Sequence, residues 1–310
     1  MRPDCQITGA WENDAGTRVQ LRSGGEIALT HKSFDDLLAP EVCSIVAIGD
    51  VYARRGQLAI AALQSGKHVI SDKPICTELA ELAEIETLAT ERGLSVGCQL
   101  DLIESGSIRQ LRALVKEGGL GRVCTITIAA QHSLRLGSRL PWYFEPNAHG
   151  GTINDIGVHV FHLLPWLTGS PWKDLISARE WNAKAEGVPH FKDSAQFHGL
   201  LENGASCFAD VSYLAPDKLG YELPNYWRIT VHGTRGMAET SYAASEVLFV
   251  SDEDTAPRRE AALTDSPRNY LGDFIDEIEG RASGDGLTTE RILLASRLAL
   301  EAQSQAGRQS

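Results

Sequence analysis

The first hundred residues alternate short apolar runs with helical stretches, and this alternation constrains the fold more than any other feature of the chain. CQITGAW (5–11) reads as a strand and FDDLLA (34–39) as a short helix, followed by the strand SIVAIG (44–49) and the helix GQLAIAALQSG (56–66). The strand KHVISD (67–72), the helix TELAELAEIETLATERG (77–93) and the strand LSVGCQL (94–100) complete the run. Short β-branched strands separated by helices make βαβ units around a parallel sheet. Gly66 and Gly93 follow the last periodic residues of two of these helices, where a C-terminal glycine cap is expected.

After residue 103 the pattern changes. The helix IRQLRALVKEGG (108–119) leads into the strand RVCTITIAAQHS (122–133), then a loop, then a helix over 151–168. From 174 to 250 the chain reads mostly as strands, with Asn203-Gly204 as a hairpin turn between two of them. Strands joined by short turns form a large, mostly antiparallel sheet, so this part is α+β. A polar stretch (251–269) separates the sheet from two C-terminal helices, 270–281 and 288–308. The expected division is 1–103 and 104–310, with the C-terminal helix packing back on the first domain. With 310 residues, 43% of them hydrophobic, each domain can bury its own core.

Charge and cysteine usage narrow the partners. Lys and Arg number 29 against 41 Asp and Glu, a net charge of -12 that disfavours a phosphate-coating surface and hence a nucleic-acid partner. No apolar run approaches the roughly 18 residues of a membrane span, and MRPDCQITGAW lacks a signal-peptide layout, so no membrane partner is expected. Cysteines 5, 43, 76, 98, 124 and 207 are scattered without a CxxC pair, which fits reduced thiols in a cytoplasmic protein.

Three places can carry chemistry. Glu12 follows the first strand, where an acidic residue binds a dinucleotide's ribose, although an exposed strand-end carboxylate is the plain alternative. No GxGxxG occurs; Gly118-Gly119-Leu120-Gly121 follows a helix and precedes a strand, the wrong polarity for a pyrophosphate site. Asp72-Lys73-Pro74 stands at the carboxyl end of a parallel strand, the edge at which such sheets bind ligands. Proline there aims Lys73, which can polarise a substrate oxygen or simply be solvated.

The third place is HGGTINDIGVHVFHLLPWLTG (149–169), where helical spacing puts Asp155, His159 and His162 on one stripe of an otherwise apolar helix. Imidazole suits proton transfer at neutral pH, and a carboxylate one turn away can set its tautomer. The same pair can share a metal ion, but no Cys or further His stands at ligand spacing, and no metal is expected. A half-exposed polar face is the remaining alternative. Upstream, Trp142 and Tyr143 are candidate sugar-stacking rings, although aromatic residues mostly pack cores.

Taken together, GKHVISDKP (66–74) and GGTINDIGVHVFHLLPWLTG (150–169) resemble the two signature segments of the glucose–fructose oxidoreductase / inositol dehydrogenase / rhizopine catabolism family (Gfo/Idh/MocA). Asp72 replaces that family's Glu, and His162 replaces its usual Asp. The resemblance continues through DSAQFHGLLENGASCFADVSYLAP and WRITVHGTRGMAE. It implies a Rossmann domain followed by an open-sheet domain, assembled as a homodimer or homotetramer through that sheet. It also implies hydride transfer between NAD or NADP and a carbohydrate-like substrate, a sugar, polyol or sugar acid.

By position, Lys73 matches the substrate-orienting lysine, in a Lys-Pro bond that is often cis, and Asp155 and His159 match the catalytic pair, with His159 as proton acceptor. Glu12 matches the ribose-binding acid, which favours NAD. Asp50-Val51 and Arg55 replace the family's usual residues beside the nicotinamide, so Asp50, Arg55, Lys73 and Pro74 are expected at the cofactor, with Arg55 able to meet phosphate or an anionic substrate. His162, Trp142 and Tyr143 are expected at the substrate.

The family's Gly-rich first strand and helix have no counterpart in the chain, so a longer open reading frame upstream of Met1 is expected. Two alternatives accompany this reading: a sugar hydrolase or eliminase that uses NAD without net redox change, and a cofactor-free binding scaffold. Removing Lys73 or His159 is expected to leave folding intact and lower turnover by two decades or more, roughly the contribution of a general acid or base.

Overall fold

Three short strands build the first sheet. β1 (Ile45–Ile48) pairs in parallel with β2 (His68–Ser71), and β2 with β3 (Val96–Cys98). The crossovers are α3 (Tyr52–Gln64) and α4 (Leu79–Arg92), which follow the N-terminal helices α1 (Ala15–Gly24) and α2 (Phe34–Leu37). The computed structural model describes residues 5–24, 27–218, 223–264, 269–282 and 284–308. All three residues of β3 are buried, as expected of a parallel strand covered on both faces. α4 stops at Gly93, whose left-handed backbone (φ 62°) closes the last turn.

The second sheet has eight strands in the order β11-β10-β9-β8-β4-β7-β6-β5. They are β4 (Val123–Ser133), β5 (Trp172–Trp181), β6 (Ser194–Leu201), β7 (Ser206–Ala215), β8 (Arg228–Gly233), β9 (Gly236–Thr240), β10 (Glu246–Ser251) and β11 (Arg258–Ala261). Neighbours pair antiparallel except β4 and β7, which run parallel. Helix α5 (Gly106–Lys116) enters this unit, and α6 (Val158–Thr168) lies between the two sheets' helical layers, packed on α5 and α8. After α7 (Tyr270–Ile278), the long α8 (Thr289–Gly307) packs on α4 and β3 as well as on α6 and β5. No helix among the described residues is long and apolar enough to cross a membrane.

Three local expectations are corrected, and one helix is added. CQITGAW forms no strand: Ile7 is 51% exposed, so the run lacks a buried face, and Trp11 packs on Phe34 instead. Its backbone ties to the segment before α2, with Ala10 O accepting from Thr30 N at 3.0 Å. Helix α1, unmarked by a strong apolar stripe, buries none of its residues. β11 lies inside the stretch expected to be an irregular connection, where it pairs with β10 at the sheet edge despite its charged sequence. The helix expected over 151–168 begins instead as a π-helical turn, Ile153–Gly157, before α6. That wider turn changes the angular phase of Asp155 relative to α6.

Candidate active site

Lys73 leaves the carboxyl end of β2 in a loop with a cis Lys73–Pro74 bond. Arg55 of α3, only 3% exposed, secures this loop. Its Nε donates to Asp50 O (2.7 Å), its Nη1 to Lys73 O (2.7 Å) and Pro74 O (3.2 Å), and its Nη2 to Asp72 Oδ2 (3.3 Å). The guanidinium also covers the Tyr52 ring at 4.4 Å. The loop is further joined to the π-helical turn, because Asn154 Nδ2 donates to Cys76 O at 2.9 Å.

The π-helical turn follows Gly150 and Gly151, both with positive φ (80° and 97°). At Gly151 a Cβ atom would collide with the Gln303 side chain of α8. That amide has a purpose there: Gln303 Oε1 accepts from Ile153 N (2.9 Å) and Asn154 N (3.4 Å), satisfying donors at the start of the turn. Asp155, 1% exposed, is thereby held opposite Lys73. Lys73 Nζ donates to Asp155 Oδ1 at 2.6 Å and to its carbonyl oxygen at 3.1 Å.

The other carboxylate oxygen, Oδ2, accepts from the hydroxyls of Tyr143 (3.1 Å) and Tyr213, and His149 Nε2 lies 3.5 Å away. The two tyrosine hydroxyls are 2.8 Å apart, and His149 Nε2 contacts the Tyr213 hydroxyl at 2.9 Å. Asp155 is therefore anchored by Lys73, two tyrosines and a histidine rather than by His159.

His159, in the first turn of α6, is 6% exposed, and its ring meets Trp227 edge-on with centroids 5.4 Å apart. Its Nδ1 is buried and has no hydrogen-bond partner among the described residues. Lys73, Tyr143, Asp155, His159 and Trp227 face one cavity of about 400 Å³, lined also by Tyr52, Asp72, Gln99, Asp101, His132 and Arg139, with Tyr213 and His149 behind it. It opens at the carboxyl edge of the parallel strands, bounded on the other side by residues of the large sheet.

The electrostatics set the protonation states. Burial alone raises the Asp155 carboxyl, but Lys73 and His149 outweigh it and hold the group well below the usual carboxylate range. Burial likewise works against the Lys73 charge, and Asp155 reverses that, raising its pKa above the ordinary value. His159 is pushed well below the usual imidazole range by burial first, then by the charges of Lys73 and His132. At neutral pH the cavity thus presents an ammonium paired to a carboxylate beside a neutral imidazole.

Of the residues expected at the site, Lys73, Tyr143, Asp155 and His159 line this cavity together. Pro74 belongs to the loop after β2, and Asp50 to the turn between β1 and α3, where its Oδ1 accepts from Val51 N at 2.6 Å. Arg55 does not line the cavity; its bonds go to the carbonyls of Asp50, Lys73 and Pro74 and to Asp72, so that it braces the two segments. Trp142 does not line the cavity either; it packs on the Tyr52 ring at 5.1 Å. His162 faces a different cavity: it lies three residues beyond His159 in α6, about 60° round the helix, and that offset turns it to the side of α5 and α8. Glu12 follows no strand and accepts from Asp14 N at 2.7 Å just before α1, so the preference for NAD loses its support.

Sequence reasoning missed Tyr213, His149 and His132, and left Trp227 as an aromatic that either stacks on a sugar face or packs a core. Tyr213 occupies a buried position of β7, where an aromatic residue reads as core. His149 directly precedes the Gly150-Gly151 pair, so its place beside the motif was the available signal.

Residues 1–99 match the family model described as "Oxidoreductase family, NAD-binding Rossmann fold", and residues 108–239 match the GFO/IDH/MocA C-terminal domain. A 1,5-anhydro-D-fructose reductase of Ensifer adhaerens is 30% identical over 208 residues, 66% of this chain and 59% of that one. The chain spans about half the length of other curated relatives that it matches. Among solved structures, a candidate oxidoreductase from Thermotoga maritima superposes with a TM-score of 0.85 at 22% identity, covering 100% of this chain and 93% of that one. An inositol dehydrogenase homolog from Azotobacter vinelandii, complexed with NAD+, gives a TM-score of 0.73 at 17% identity and covers 89% of this chain and 79% of its own. With both domain models matched in order along most of its length, the chain belongs to the GFO/IDH/MocA family.

Proposed function

We propose that the cavity is the reaction centre of an NAD(P)-dependent oxidoreductase acting on a hydroxyl-bearing carbon of a sugar, polyol or sugar acid. The observation that carries this reading is the convergence of a charged Lys73 amine and a neutral His159 imidazole, its Nδ1 unpartnered, on one sugar-sized cavity. The named activities of the Ensifer adhaerens relative and the Azotobacter vinelandii homolog support the substrate class.

The residues at the carboxyl edge of β1 and β2 fit the nicotinamide end of the cofactor. The Lys73–Pro74 loop and the Asp50–Tyr52 turn would hold it there, beside the orphaned imidazole nitrogen. When bound, the dinucleotide supplies the hydride acceptor. The chain supplies proton handling and charge. Lys73 has three N–H donors, and two go to Asp155, which leaves one for the substrate oxygen. That contact strengthens as the oxygen gains negative charge, so it favours the transition state over the ground state.

The His159 imidazole accepts the hydroxyl proton, and its neutral state leaves it ready to do so. Asp155 keeps Lys73 protonated and in place, with Tyr143 and Tyr213 fixing the carboxylate. The same reading has the chain assemble as a homodimer or homotetramer through the open face of the large sheet, where Phe208 and Leu214 of β7 are each 44% exposed.

Incubating the purified chain with NAD or NADP and a panel of sugars, polyols and sugar acids tests the proposal. Substrate-dependent accumulation of reduced nicotinamide is expected. Consumption of a sugar without that accumulation, or no reaction with any member of the panel, overturns it.

A further inference from the structure

A second cavity, of about 290 Å³, shares no lining residue with the first. It opens between the C-terminal half of α6, α5 and the start of α8, with Phe161, Trp166, Pro171 and Leu294 among its apolar walls. Leu294 is an exposed large apolar side chain at this position. Inside the cavity lies His162, 5% exposed. Among the described residues neither of its ring nitrogens has a hydrogen-bond partner.

An imidazole only 5% exposed, on a helix whose other buried positions are Val158, His159, Val160, Phe161, Leu163, Leu164 and Leu167, is costly unless its nitrogens meet a polar partner in the cavity. A buried polar group left open onto a cavity calls for a ligand or an ordered water.

The charges around the cavity say which kind of ligand. Arg112, Lys116 and Arg291 line it against a single carboxylate, Asp285, on a molecule whose net charge is -12. The two arginines are already fixed. Arg112 donates to Trp166 O (2.8 Å) and pairs with Asp285 (2.7 Å), and Arg291 donates to Gly286 O (2.6 Å) and Gly284 O (2.5 Å). They give a standing positive field rather than mobile arms. Burial first, and then Arg291, push the His162 pKa down to about 4. At neutral pH the ring is uncharged and offers one N–H donor.

We propose that this cavity binds a small carboxylate with an apolar body, its carboxylate accepting from His162 within the field of Arg291, Arg112 and Lys116, and its body against Trp166, Phe161 and Leu294. The site is independent of the reaction proposed above, although His159 and His162 lie on the same helix, three residues apart.

Titration of the full chain with benzoate, followed by tryptophan fluorescence, tests this, because Trp166 lines the site. Saturable binding is expected, at least tenfold weaker in His162→Leu and also weakened in Lys116→Met, whose side chain is 54% exposed and whose loss leaves the fold intact. Benzyl alcohol, the same body without the charge, is expected to bind at least tenfold more weakly than benzoate, and His159→Ala to leave benzoate binding unchanged. The proposal fails if benzoate does not saturate, if both His162→Leu and Lys116→Met bind it as the unaltered chain does, or if His159→Ala abolishes binding, which would place benzoate in the first cavity.

Discussion

Lys73 and Asp155 depend on one another, and the dependence shapes what any substitution at either residue reports. Asp155 is fully enclosed, so removing Lys73 strands a carboxylate in the interior, a loss of about 3–5 kcal/mol for a broken buried pair. The expectation that Lys73 can be removed without disturbing the fold is therefore revised. Urea unfolding of Lys73→Met is expected to show this destabilisation, and the double variant Lys73→Met/Asp155→Asn to recover much of it; equal stability of the single variant and the unaltered chain would contradict the pairing.

The buried histidines make a separate prediction. His132 is pushed down to about 3, chiefly by burial, His162 to about 4, and His159 also lies well below its ordinary value. Each is neutral in the fold, whereas the unfolded chain protonates near pH 6.5, so acidification favours unfolding. Stability is expected to fall as pH drops from 6.5 to 5, by up to about 1.4 kcal/mol per pH unit for each such imidazole. Thermal midpoints at those two pH values check the sign. At this scale Lys73, Asp155 and His159 were legible because each lies in a short motif of unusual composition. Tyr213 was not, because only the pairing of β7 with its neighbours brings it to Asp155, and His149 had only its place beside the Gly150-Gly151 pair to mark it.

The elements that carry these residues are aligned by a few local devices. Gly150 and Gly151 turn the chain into the π-helical turn, and Gln303 of α8 fills the space where Gly151 lacks a side chain. Gly151→Ala meets both a positive φ and that amide, so a destabilisation of at least about 1–3 kcal/mol is expected, with loss of turnover as Asp155 shifts. Wild-type stability and turnover in this variant would show that the turn does not depend on the glycine. Strand and helix order was readable from residue 44 to 250 because periodicity and turn glycines agree there, whereas the charged sequence of β11 hid that strand. Asn203-Gly204 indeed joins β6 to β7, with Gly204 at φ 83°. CQITGAW misled because an apolar run without a buried face looks like a strand in isolation. The π-helical turn has no sequence signature, and with it went the expected helical alignment of Asp155 with the two histidines of α6.

On the scale of the whole molecule, the parallel sheet presents Lys73 and the large sheet's side of the chain presents Asp155, so the cavity exists only where the two parts meet. Helix α8 holds both, touching β3 and α4 on one side and β5 and α6 on the other. Assembly through the open sheet predicts a solution mass of at least twice the 33.7 kDa of the chain, and Phe208→Glu is expected to reduce it to that of the monomer. Light scattering coupled to gel filtration reads both, and a monomeric unaltered chain would remove the open sheet as an interface.

The central claim is that His159 takes the substrate proton in a cavity organised by Lys73 and Asp155. Its most direct test is the pH dependence of nicotinamide reduction by the unaltered chain and by His159→Ala with the same polyol substrate. The account predicts a loss of about two decades or more in kcat for the variant at neutral pH, with the acid limb of the unaltered profile lying below pH 6.5 and absent from the variant's residual activity. Equal turnover with the same pH profile in both proteins would contradict it.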